Sequence, residues 1–90
     1  MTGTLTMPDG TELLLTAITL RTIKGRIEGT GRLTATAGAY ARQQARAEGQ
    51  LHLADGRSAR VRVGGVRPSN PVNNQEPMEV FHFQLVAGWD

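Results

Sequence analysis

The strongest constraint on the fold is that the chain spells one unit twice. Gly3-Thr4-Leu5-Thr6-Met7-Pro8-Asp9-Gly10 returns as Gly49-Gln50-Leu51-His52-Leu53-Ala54-Asp55-Gly56. In each stretch apolar and polar residues alternate and then meet an Asp-Gly, the pattern of a half-buried strand entering a tight turn. The register continues past the turn, where Leu15, Ala17, Leu20 and Arg21 align with Val61, Val63, Val66 and Arg67. The chain therefore reads as a single domain over 1–90 with an internal repeat, 1–35 and 48–87, around a helical linker at 36–48.

The local chemistry supports two hairpins. Pro8 fixes φ for the first central position of a type I turn, Asp9 bonds its own local backbone, and Gly10 accepts the positive φ of a bulge. Each return strand then changes parity. Leu13, Leu15 and Ala17 share one face while Ile18 and Leu20 share the other; in the second copy Ala59, Val61 and Val63 precede Gly64-Gly65 and an out-of-phase Val66. A β-bulge near Ala17-Ile18, and its counterpart at the two glycines, reconciles these faces.

A third strand completes each copy, Arg26–Leu33 in the first and Glu79–Leu85 in the second. The first turns Gly29 and Gly31 inward and the second turns Phe81 and Phe83 inward. Bare backbone opposite aromatic bulk predicts that the phenylalanines pack over the glycine-lined strand. Between the copies, Thr36 reads as an N-cap and Gly49 as the residue that ends a helix, with Ala37, Tyr40, Ala41, Gln44 and Ala45 as a thin apolar stripe. A long polar hairpin is the rival reading of that segment. The expected fold is mainly β: about six strands and one short helix, as a small barrel-like or two-sheet sandwich built from two pseudo-symmetric hairpin-plus-strand units.

Composition narrows function by exclusion. There is no cysteine, so disulfides, thiolate catalysis and cysteine-ligated zinc are absent. His52 and His82 are the histidines; both alternate with core residues and point outward, with no helical His-Glu spacing for a metal. Ser58 and Ser69 lack a nucleophile-elbow context, the carboxylates are scattered, and no phosphate-binding glycine pattern precedes a helix. We expect no catalytic residues, no cofactor and no metal. The N-terminus lacks a basic and apolar leader pattern, and Leu13-Leu14-Leu15 is the longest aliphatic run, so no membrane association and a cytoplasmic location are expected.

Ten Lys and Arg against eight Asp and Glu give +2, and every cation except Lys24 is arginine. That bias suits bidentate contacts, although a GC-rich genome produces the same bias. Alternation places Arg60 and Arg62 on one outer face with Arg57 near the turn, while Arg21, Lys24, Arg26 and Arg32 gather around the link of the first copy. The segment Arg67–Pro77 carries three prolines and Asn70, Asn73 and Asn74, a loop of roughly ten residues that is either a surface excursion or a binding element.

These features lead to a non-enzymatic module that binds another protein, an accessory, regulatory or phage-type structural protein. It would act through an exposed sheet edge, the 68–77 loop or the arginine face, with Arg57, Arg60, Arg62, Arg67, Asn70, Asn73, Asn74 and Trp89 as candidate contacts. One alternative is a nucleic-acid-binding barrel using Arg42, Arg46, Arg57, Arg60 and Arg62. Another is a homo-oligomeric, self-assembling subunit pairing edge strands.

Overall fold

The structure, a computed structural model, describes residues 1–68 and 78–90. Both Asp-Gly turns close by the same bonds. Gly10 N–H donates to Met7 O at 2.9 Å and Met7 N–H to Thr11 O at 2.8 Å; Gly56 and Leu53 repeat this pair at 3.0 and 2.8 Å. Gly10 and Gly56 sit at φ +91° and +97°, the left-handed conformation that completes a type I turn with a G1 bulge. In both turns the aspartate accepts the N–H two residues on, Thr11 at 2.9 Å and Arg57 at 3.0 Å.

The turns connect β1 (Gly3–Thr6) to β2 (Glu12–Ile23) and β4 (Glu48–Leu53) to β5 (Ser58–Pro68). The remaining elements are β3 (Arg26–Thr34), the helix α1 (Ala35–Gln43) and β6 (Met78–Leu85). The six strands close into a barrel in the order β1-β2-β3-β6-β5-β4, which selects the barrel over the two-sheet sandwich. The two copies are joined antiparallel at both seams. At one seam Leu5 lies opposite Leu51, its own mate in the repeat; at the other Thr30 lies opposite His82.

Register shifts fall between Thr16 and Thr19 in β2 and between Val63 and Val66 in β5, the two places where the apolar parity changes. Through these bulges Leu13, Leu15 and Ile18 all reach the interior, as do Val61, Val63 and, partly, Val66. Ala17 takes φ 51° at the first bulge. A left-handed alanine costs roughly 1–2 kcal/mol, which the burial of Leu15 before it and Ile18 after it offsets.

The glycine and phenylalanine strands meet as expected. Gly29 pairs with Phe83 and Gly31 with Phe81. A Cβ on Gly29 would collide with Phe83 Cζ and lie 2.6 Å from Phe83 Cε2, so the ring occupies the space of the missing side chain. Phe81 and Phe83 stack with centroids 5.8 Å apart and are almost wholly buried.

The helix differs from its sequence reading. Its N-cap is Thr34, whose Oγ1 accepts Ala37 N–H at 3.2 Å; Thr36 lies inside the first turn. A threonine ending β3 already has the extended backbone that a cap needs, so the strand runs into the helix without a linker. The helix ends at Gln43, and Gly49 belongs to β4, where a Cβ would stand 2.9 Å from Thr6 O. The reversal is made by Arg46 at φ 70°. Of the expected stripe, Ala41 is buried and Ala37 and Tyr40 pack against the core, but Ala45 is exposed and Gly38 is buried in its place.

Gly29→Ala is expected to cost about 1–3 kcal/mol by overpacking against Phe83. Gly31→Ala, whose new methyl meets Ile18 and Leu15 only at 3.4 Å, should change stability far less. Urea denaturation midpoints of the two variants check the contrast.

Candidate functional site

Closing β3 onto β6 aligns outward side chains from both copies into rows that cross the strands. One row runs Arg21–Glu28–Gln84–Arg62, each residue directly opposite the next on β2, β3, β6 and β5. A second row is Thr19–Thr30–His82, and a third is Thr16–Arg32–Val80–Arg67. Successive rows are two residues apart along a strand, about 6.6 Å.

The first two rows line a groove of about 390 Å³, together with the exposed Gly64 and the buried Gly29, Val63 and Phe83. Gly64 has no room for a side chain, since a Cβ would lie 2.8 Å from His82 O; the bulge thus brings bare backbone to the groove wall. Glu28, Thr30, His82 and Gln84 are half-buried there. None of these four side chains, nor Thr19 or Arg21, makes a side-chain hydrogen bond among the described residues. The electrostatic balance across the three rows is positive, with Arg21, Arg32, Arg62 and Arg67 set against Glu28.

The sequence-derived candidates do not form one patch. Arg60 and Arg62 share an outer face, as alternation requires, but Arg60 lies opposite Gln50 and outside the groove. Arg62 lies in it, with a long 3.3 Å ion pair to Glu48. Arg67 lies beyond the bulge in the third row. Arg57 is held at the turn by Asp55 at 2.8 Å and covers the Trp89 ring, its guanidinium carbon 4.6 Å from the centroid. Trp89 itself packs against the core. Asn70, Asn73 and Asn74, with the loop that carries them, lie outside the described residues. Arg46 is exposed at the turn after α1, and Arg42 is bound to Glu79.

The residues that sequence reasoning missed are Thr19, Glu28, Thr30, His82 and Gln84. The available signal was their outward parity, Thr19 on the return strand β2 and the others on the third strands; without the β3–β6 seam nothing tied them to Arg62.

The pair Arg42–Glu79 explains a buried charge. Glu79 points inward under α1, where Gly38 leaves space that any Cβ would fill, and its Oε1 accepts from Arg42 Nη2 at 2.8 Å. Its Oε2 is buried with no hydrogen-bond partner among the described residues. This arrangement fastens the helix to the barrel end.

The described residues contain no cluster of three or more His, Cys, Asp or Glu able to hold a metal ion. No described helix is long and apolar enough to cross a membrane. Comparison with protein-family models, with curated proteins and with solved structures finds no match.

Two outcomes follow from these contacts. Arg42→Ala strands a buried carboxylate and should cost about 1–3 kcal/mol, with a smaller loss when Glu79→Gln accompanies it; a thermal-melt double-mutant cycle measures this. The turn carboxylates are held below the ordinary value of 3.8, Asp9 chiefly by the Thr11 N–H and then the Tyr40 hydroxyl, Asp55 chiefly by the Arg57 N–H. Because the folded values are depressed, their stabilisation is complete above that pH and is lost as pH falls through the folded values. The double variant Asp9→Asn, Asp55→Asn should therefore lose less stability on acidification than the parent, as measured by urea midpoints at stepped pH.

Proposed function

We propose that the chain is a non-enzymatic module that binds another protein, with the groove across β2, β3, β6 and β5 as its binding face. The observation that carries this reading is the unspent hydrogen-bonding capacity of the groove. Half-buried Glu28, Thr30, His82 and Gln84 offer donors and acceptors that no side chain among the described residues uses, in a groove of about 390 Å³. Among the described residues no side-chain hydrogen bond orients His82 or Glu28 toward an acid–base role.

The aromatic residues favour protein over nucleic acid. Phe81 and Phe83 are in the core, Tyr40 donates to Asp9 at 2.8 Å, and Trp89 lies beneath Arg57, so none stands on the basic face as a stacking platform. Closure likewise weighs against recognition by strand pairing. Every strand has a neighbour on each side, and stretches that the registers leave paired on one side, among them Thr19–Ile23 of β2 and Val66–Pro68 of β5, lie at strand ends.

A photo-crosslinking amino acid at Gln84 should give discrete, nuclease-resistant protein adducts in extract of the native host. The same probe at His52, exposed on the far side of the barrel, should not. Equal adducts from both positions, nuclease-sensitive adducts, adducts with the chain itself, or none at all would overturn the assignment.

A further inference from the structure

We infer that the occupant of the groove is an extended, acidic polypeptide segment carrying two carboxylates four residues apart, with a neutral or cationic residue midway between them. The inference rests on the protein-binding reading above and deepens it.

The spacing follows from the first row. Arg21 and Arg62 stand at its ends, separated by Glu28 and Gln84 on the two intervening strands. Three strand spacings of about 4.8 Å put the two backbones about 14 Å apart along the curved surface of the sheet, the path a segment lying on it follows. An extended segment rising about 3.3 Å per residue places side chains four residues apart at about 13 Å, both on the same side of the chain. One carboxylate can thus meet each guanidinium, the pairing for which arginine is best shaped. Arg21 has no ion pair among the described residues, and the 3.3 Å pair of Arg62 with Glu48 is open to solvent on both sides, so exchanging it costs little.

The middle of the row sets the sequence preference. A side chain two residues after the first carboxylate points down at Glu28 and Gln84, where a third carboxylate meets like charge and a lysine or threonine meets acceptors. Thr19, Thr30 and His82, one row away, face the segment's own backbone N–H and C=O groups. A uniform polyanion fits poorly, because it carries charge where Glu28 already sits.

The prediction separates this site from a merely basic surface. Label-free calorimetric and NMR titrations would use the purified chain and a nonapeptide containing Glu-Thr-Lys-Thr-Glu. Binding should shift the amide resonances of Thr30, His82 and Gln84, and Arg21→Ala or Arg62→Ala should each weaken it about tenfold, the scale of one charged contact. Arg60→Ala, outside the groove, should leave it unchanged. Replacing the central Lys by Glu should weaken binding despite the added negative charge, and replacing both Glu by Gln should abolish it.

The proposal falls if the Glu-Thr-Glu-Thr-Glu peptide binds as tightly as the lysine form. It also falls if a single-stranded oligonucleotide of equal charge binds more tightly, or if no peptide perturbs the groove. In the last case, a surviving protein adduct from Gln84 leaves the interaction module standing with a different ligand, whereas loss of the adduct as well removes both readings.

Discussion

The seam between β3 and β6 is the constraint on which the rest of the structure depends. Gly29 and Gly31 face Phe83 and Phe81 across it, and the Phe83 ring occupies the volume that a side chain at position 29 would have filled. A small barrel has limited interior, so the first copy gives up side chains at Gly29 and Gly31 and the second supplies the bulk. The exchange makes the two copies unequal and mutually required. It also makes the barrel close, because neither third strand alone covers the core.

The bulges do a second job alongside the seam. Each lets one long strand supply inward residues on both sides of a parity change, at Thr16–Thr19 in β2 and Val63–Val66 in β5. Because they interrupt β2 and β5, the outer strands of the same four-stranded surface, they also shape its outside. Gly64 brings β5 backbone close to His82, and the groove sits at that approach. Core packing and the groove are thus two faces of the same backbone irregularity.

Much of the fold was legible because the sequence signals were local. An Asp-Gly turn, a parity break and a glycine-against-phenylalanine contrast each depend on a few neighbouring residues, and each reappears in the structure at its place. The helix shows the limit of such reasoning. Thr34 and Thr36 are equally good caps by type, and the choice fell to Thr34 because β3 delivers it in extended backbone at the barrel rim. Likewise Gly49 resembled a helix terminator, yet its lack of a side chain serves close contact with Thr6 across the other seam.

The basic face illustrates the same division for function. Alternation alone put Arg60 beside Arg62 and turned both outward, and the repeat alone paired Arg21 with Arg67. Which of these arginines share a surface was decided by tertiary structure. Ring closure carried Arg21, Glu28 and Arg32 of the first copy alongside Arg62, His82 and Gln84 of the second, and left Arg60 on the other flank with Gln50. The sequence by itself determined the repeat, the hairpins, the bulges and most inward residues, since these follow from backbone periodicity and turn chemistry; Ala17, expected on the face of Leu13 and Leu15, is instead exposed at its left-handed bulge position. The barrel and its groove were decided only in three dimensions, because cross-strand neighbours are set by how distant strands share one limited interior.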